Sequence, residues 1–287
     1  MQLDDLTIGN IKKNLFYRSI DAISDYNRFD WHKDKCGMID TGQNNSSQAL
    51  AIDFWGCLKL SKYKNELINK LFVETENDWD IQFEYVDKKL LSEKKSTQID
   101  ILIRSKNTAI FIESKFTEQD GGGCSQVKKT KNGIVQCSGN YITQINPKNK
   151  ISSKCALTGK EIKYWCYIDQ LTCYKKDHDY RPCPFRNGEY QWMRNICFAE
   201  AYARTNGVNA KTYLAYLESK KCPISKKVNK QKYLGKLKDN IINTNSFMPI
   251  SYNNLLETCI SFLSNDEEEK KVWIDLKNWM MKKESLL

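Results

Sequence analysis

No stretch of this 287-residue chain approaches the ~18 uninterrupted apolar residues of a membrane span, so no transmembrane helix is expected. The opening residues, MQLDDLTIGNIKKN, lack the apolar core of a signal peptide, and a cytoplasmic location follows as the expectation. Internal repeats and low-complexity tracts are absent, which argues against a repeat architecture. No CxxC pair occurs, so recognised zinc-ribbon spacings are excluded. The eleven cysteines are an odd number in a chain without a secretory signal. Reduced thiols or a metal site fit that better than a disulfide framework.

What is present is ordinary globular material: 40% apolar and 28% charged residues, enough for a sizeable core. Lys and Arg outnumber Asp and Glu by 45 to 35, giving a pI near 8.9. That excess favours polyanionic partners, nucleic acid first, although a merely basic enzyme satisfies it equally.

A helix is expected from about Asn10 through Ile11, Leu15 and Ile20. Another follows at SQALAIDFWGCLKL, where Asn45, Ser46 and Ser47 offer an N-cap and Leu50, Phe54 and Leu58 recur at helical spacing. Asn65 to Glu74 gives a third. Asp80 to Val86 then alternates polar and apolar residues as a half-buried strand does. QIDILIR (98–104) and TAIFIESKF (108–116) are β-branched runs separated by three residues, as in a hairpin. Residues 117–188 form a long irregular stretch opening at Asp120-Gly121-Gly122-Gly123-Cys124, of the length that marks an insertion or a functional loop. Helical spacing returns from Tyr190 to Asn206, KTYLAYL (211–217) reads as a further strand, and two amphipathic helices close the chain at 252–263 and 267–283.

Three residues interrupt this pattern chemically. Asp100 lies inside an apolar strand, where an unpaired carboxylate costs several kcal/mol to bury. Glu113 and Lys115 interrupt the next strand and, two residues apart, share a face. A hairpin can bring Asp100 to that pair. Two hard carboxylates suit Mg²⁺, with Mn²⁺ as a substitute, and a neighbouring ammonium can stabilise charge on a phosphate. A self-satisfied buried ion pair is the competing reading, but such pairs add little net stability. Glu84, on the polar face of the first strand, either reaches the same metal or faces solvent. Asp53 is expected to face solvent or to cap a basic neighbour.

The helix, the three strands, and Asp100 followed by Glu113-Ser114-Lys115 resemble the PD-(D/E)XK nuclease superfamily, with Ile99 where the family name has Pro. The phrases Ser46-Ser47-Gln48-Ala49-Leu50-Ala51, Glu113-Ser114-Lys115-Phe116-Thr117-Glu118, Cys183-Pro184-Phe185 and Tyr190-Gln191-Trp192-Met193-Arg194-Asn195 are similar to a bacterial restriction-endonuclease-like subgroup. The resemblance implies an α/β fold with a mixed central sheet and an αβββαβ core over about 45–217. It also implies metal binding by Asp100 and Glu113, with Lys115 acting beside them. One nuclease domain over 1–287 is expected, with the Cys-rich insertion at 117–188, a helical N-terminal extension, and a helical C-terminal extension at 218–287.

The insertion holds six cysteines: Cys124, Cys137, Cys155, Cys166, Cys173 and Cys183. A structural Zn²⁺ or iron–sulfur cluster on Cys137, Cys155, Cys173 and Cys183 would order a segment poor in apolar periodicity; ordinary buried cysteines are the alternative. His178 either joins such a site or sits at the surface between its aspartates. Lys128, Lys129, Lys131, Lys148, Lys150 and Lys154 dot the same stretch, with Tyr141, Tyr164, Trp165 and Tyr174 nearby. They suit phosphate contact and base stacking, or solvated lysines over inward-packed aromatics. The lysines from Lys226 to Lys238 carry the same ambiguity.

These features together imply a Mg²⁺-dependent endonuclease of DNA in restriction or phage defence, with a methyltransferase or defence protein as the companion such a role implies. A repair or recombination nuclease, and a non-catalytic nucleic-acid-binding protein on the same fold, are the rivals. A homodimer is expected if both strands are cut together. Leu255, Leu256, Ile260, Val272, Trp273, Leu276 and Trp279 then offer either an interface or plain core.

Overall fold

In the computed structural model, residues 2–128, 130–131, 134–135, 137, 139, 157, 161–167, 183, 185–186, 188–228 and 247–287 are described. Helix α1 spans Asp5–Lys13, α2 Ser47–Leu60 and α3 Lys64–Phe72. Strands β1 (Asp80–Val86), β2 (Gln98–Arg104) and β3 (Thr108–Lys115) follow, then a small hairpin of β4 (Thr130–Lys131) and β5 (Ile134–Val135). Next come α4 (Tyr190–Asn206), β6 (Asn209–Tyr216), α5 (Pro223–Val228), β7 (Met248–Ser251), α6 (Tyr252–Phe262) and α7 (Glu267–Ser285). The main sheet runs β1-β2-β3-β6-β7. Its first three strands pair antiparallel, while β6 is parallel to β3 and β7 is parallel to β6. This is the mixed sheet expected of a restriction-endonuclease-like fold, with α2, β1, β2, β3, α4 and β6 in αβββαβ order and α3 added.

Local chemistry sets the element ends. Ser46 caps α2 by accepting the Ala49 N–H, and Asp266 caps α7 by accepting that of Glu269. Three glutamates in the first turn of α7 face the positive end of its dipole. The first helix differs from expectation. Asp4 accepts the Thr7 N–H and starts it early, and Asn14 ends it by turning its side chain to the carbonyls of Thr41 (2.8 Å) and Gln43 (2.6 Å). The helical spacing at Ile20 belongs to a separate short 3₁₀ turn, Ser19–Ala22. The four residues of β7 include Pro249, which an edge strand tolerates because its outer N–H positions need no partner.

Two apolar layers sandwich the sheet. One packs α2, α3, α6 and α7 through Leu50, Phe54, Leu58, Trp55, Leu255 and Trp273. Fully burying each aliphatic or Phe side chain of that set stabilises the fold by roughly 1.5–3 kcal/mol. The other packs α4 with residues of the insertion through Trp192, Phe198, Tyr164 and Phe185. Leu255, Leu256, Trp273 and Leu276 therefore belong to the chain's own core, with Ile260, Val272 and Trp279 packed against it. The stripe offered for pairing subunits is occupied within the chain.

Asp53 does not face solvent but takes the second of the two roles expected for it, pairing with a basic neighbour, Lys283. It is fully buried on α2, where Oδ2 accepts from Lys283 Nζ (2.6 Å) and Trp279 Nε1 (2.9 Å). Its Oδ1 accepts from the Phe16 N–H (2.6 Å) and the Ser19 hydroxyl (3.3 Å). One carboxylate thus ties the N-terminal segment and the last helix to α2. Among the described residues no helix is long and apolar enough to cross a membrane.

Candidate active site

The strand register brings the acidic residues into one row. Glu84 falls opposite Asp100, between the pairs Phe83–Ile101 and Tyr85–Ile99. Extending the β2–β3 register by one step from Ile101–Ile112 sets Asp100 opposite Glu113. Neither strand is regular at the row. Glu84 has φ 51°, a left-handed conformation that a glutamate adopts only under constraint. The side-chain alternation also reverses there: Ile81 and Phe83 pack with one layer and Tyr85 with the other, as Ile101 and Ile103 do against Ile99. The β2–β3 pairing ends at Ile101–Ile112, one step short of the row, where the Ser114 N–H donates to Asp100 Oδ2 at 2.7 Å.

Glu113 and Lys115 are both buried, at 2% and 6% exposure. Lys115 Nζ donates to Glu113 Oε1 at 2.7 Å, and Asn195 of α4 donates to Glu113 Oε2 at 2.6 Å. The Lys115 ammonium also lies 5.9 Å from the centre of the Trp192 ring. A side chain at Gly121 would come within 2.7 Å of that ring, so the first glycine of the Gly-rich turn is required where the insertion meets α4. Glu118 extends the site. It accepts from the Ser47 hydroxyl (2.7 Å) and the Phe116 N–H (2.8 Å), with Lys115 Nζ at 3.9 Å.

An N-terminal segment closes the other side. Gln48, buried in the first turn of α2, accepts the His32 N–H at 2.9 Å and donates to Asp30 O at 3.0 Å and Glu84 Oε1 at 2.5 Å. This holds His32 with Nε2 3.4 Å from Glu84 Oε1. The side chain of Glu84 is only 5% exposed, yet its Oε2 has no hydrogen-bond partner. Ligand atoms of His32, Glu84 and Asp100 all lie within 4.8 Å of one another. Among the described residues this is the one group of histidine, cysteine or carboxylate side chains so arranged.

The electrostatics follow from crowding three carboxylates. Burial raises the Asp100 pKa well above the usual carboxylate range, and the Glu113 and Glu84 charges push the same way against Lys115 and His32. Burial alone would lower His32, but its bond to Glu84 and the charges of Glu84 and Asp100 prevail, raising it to about 9. Lys115 is likewise raised against its burial, by Glu113, Glu118 and Asp100. Burial works against Glu118, which Lys115 and two hydrogen bonds nonetheless keep low. The site carries more negative charge than its own cations balance. An unpartnered buried carboxylate oxygen among such charges fits a divalent cation.

The four residues expected to act together, Asp100, Glu113, Lys115 and Glu84, thus share one site, and Glu84 does not face solvent. His32, Gln48, Asn195 and Glu118 were not assigned roles by sequence reasoning. Gln48, Glu118 and Asn195 do lie within the phrases that carry the family resemblance; His32 gives no comparable signal. Of the cysteines expected to hold a metal, Cys155 and Cys173 lie outside the described residues, as do His178, Tyr141 and Tyr174. Cys137 and Cys183 are partly exposed and line a small apolar pocket with Cys124 and Phe185. Tyr164 is 1% exposed and stacks on Phe185 at 5.3 Å, so it packs inward and does not present a face to a base.

A family model described as Restriction Endonuclease associating with ARP matches residues 4–259. No curated protein and no solved structure matches the chain significantly.

Proposed function

The chain belongs to this restriction-endonuclease family, and from that premise we propose that it is a metal-dependent DNA endonuclease of the PD-(D/E)XK type. The reading is carried by one observation: Glu84 falls opposite Asp100 on the neighbouring strand, Asp100 accepts the N–H of Ser114 between Glu113 and Lys115, and Glu84 Oε2 is unpartnered. Folding alone does not explain that row, because each of its charges is desolvated among like charges.

Glu84, Asp100 and Glu113 are the residues that would hold the ion, Mg²⁺ or Mn²⁺. When bound, it neutralises charge on the scissile phosphate and activates water. The protein's own groups do the remainder. Lys115 supplies a fixed positive charge, aligned by Glu113 on one side and drawn toward Glu118 on the other, for the oxygens that gain charge during attack. Asn195 fixes the second oxygen of Glu113, so that carboxylate cannot rotate away. Ser114, between Glu113 and Lys115, hydrogen bonds Tyr252 at 2.7 Å on the opposite side of the strand and keeps β3 from sliding.

A restriction or phage-defence role, with ARP or a methyltransferase as companion, extends the same proposal. So does a homodimer for cutting both strands, through a surface other than the core-packed stripe of α6 and α7. A cysteine-held zinc or iron–sulfur site in the insertion is a separate proposal, decided by elemental analysis of dialysed protein. The test of the main reading is incubation of purified protein with plasmid DNA, with and without Mg²⁺ or Mn²⁺. Cleavage is expected only with a metal, and Asp100→Ala and Lys115→Ala should each abolish it. Wild-type cleavage by Asp100→Ala protein would overturn the assignment.

A further inference from the structure

We propose that His32 is a nitrogen ligand of the catalytic cation, adding an imidazole to the carboxylates of Glu84, Asp100 and Glu113, so that the centre selects a transition ion such as Mn²⁺ over Mg²⁺. The inference rests on the nuclease reading and deepens it by naming the class of metal.

Three observations converge. The first is geometric: His32 Nε2 lies 3.4 Å from Glu84 Oε1, and the ligand atoms of all three residues fall within 4.8 Å of one another. One ion can therefore touch all three after small side-chain shifts. The second is the unused acceptor. Glu84 Oε2 is buried without a partner on a side chain only 5% exposed, and an isolated buried carboxylate oxygen persists where something else satisfies it. The third is the effort spent on placing His32. It belongs to no helix or strand of the core, yet Gln48 grips its backbone N–H while bonding Glu84 with the other end of the same amide. An isolated bridge from Lys33 to Ile39 closes the loop just beyond it. A histidine that merely balanced surface charge would need no such clamp.

The chemistry of the donor set then decides the ion. Mg²⁺ takes oxygen ligands in a near-ideal octahedron and gains little from imidazole. Imidazole suits first-row transition ions, and carboxylates suit Mn²⁺ as well. A site of carboxylates and one imidazole therefore discriminates against Mg²⁺ through His32, whereas Glu84, Asp100 and Glu113 serve both ions.

The experiment measures metal binding without DNA. Chelator-treated wild-type protein is titrated with Mn²⁺, free Mn²⁺ is followed by electron paramagnetic resonance, and Mg²⁺ is added as competitor. Mn²⁺ is expected to bind at least about 10-fold tighter than Mg²⁺, and the bound ion should show modulation from a histidine ¹⁴N. His32→Ala should weaken Mn²⁺ by about 10–100-fold, the scale seen when a group supporting a metal is lost, and leave Mg²⁺ nearly unchanged. Should His32→Ala fail to fold, as judged by circular dichroism, the nitrogen signal of the wild-type protein decides alone. Absence of that signal, equal binding of the two ions, or unchanged Mn²⁺ affinity in a folded His32→Ala protein overturns the inference. Metal-dependent plasmid cleavage accompanied by any of these leaves the nuclease reading standing. Failure of every divalent ion to bind or to support cleavage removes both.

Discussion

Helix α2 touches two buried charge clusters that are built on opposite terms. Toward the N- and C-terminal segments, Asp53 has both oxygens satisfied by four donors, and its partner Lys283 is only 3% exposed on its side chain. Toward the first three strands, Gln48 meets a row of carboxylates in which Glu84 keeps an unpartnered oxygen and a left-handed backbone. The first cluster is closed and works as a tie between chain ends. The second is short of positive charge and donors, as a site is when its last partner is a ligand. Completeness of hydrogen bonding, more than burial or charge, separates a structural ion pair from a functional one.

The sharpest way to break this contrast is to neutralise one member of each cluster. Asp100→Asn should lower DNA cleavage by on the order of 10²–10³-fold or more, as loss of an electrostatic contact in a transition state does. The metal-free protein should melt no lower than wild type, because a like charge has gone. A clear fall in the melting temperature would show that the row is structural after all. Asp53→Ala should do the reverse. It leaves Lys283 buried without a counter-charge and should cost about 3–5 kcal/mol in urea denaturation, with metal affinity unchanged. If that variant unfolds at the wild-type urea concentration, the tie between chain ends is not what it is taken to be.

A smaller effect tests the border between the two kinds of cluster. Asn195 is 1% exposed and donates to Glu113 Oε2, but its own Oδ1 has no partner. Asn195→Ala should reduce cleavage about 10–100-fold through Glu113 positioning. Single-turnover kinetics should assign the loss to the chemical step and not to DNA binding, and a pure binding defect would contradict the role.

The smallest effect lies at the surface. The ammonium of Lys62, then the Glu269 N–H and the Tyr63 hydroxyl, hold the Asp266 carboxyl at about 2. Because the folded value lies below the unfolded one, near 3.9, this contribution to stability is fully present above pH ~4. It is lost as pH falls toward ~2. Asp266→Asn should therefore differ from wild type at neutral pH and converge with it below that window. A difference that persists unchanged down to pH 2 would show that the ionised carboxylate plays no part.

Much of this was legible from residue order. The bounds of β1 and β2, the cap at Ser46, the helix ending at Gly207 and the carboxylates interrupting apolar strands all follow from period, capping and the cost of buried charge. These are local rules, and they act within a few residues. Other features escaped because their causes are remote. Asn14 ends α1 through bonds to residues 41 and 43, Asp53 is buried by Lys283 some 230 positions away, and β7 exists because β6 offers it an edge.

The same division runs through the site. Sequence alone determined that Asp100, Glu113 and Lys115 would stand on two adjoining strands, since two β-branched runs separated by three residues form a hairpin. Only the tertiary structure decided that Glu84 turns inward on a left-handed residue, that Asn195 braces Glu113 from α4, and that Gln48 suspends His32 over the row. Those three contacts join segments between 16 and 82 residues apart. Their geometry comes from how the layers pack against the sheet, which no local periodicity encodes.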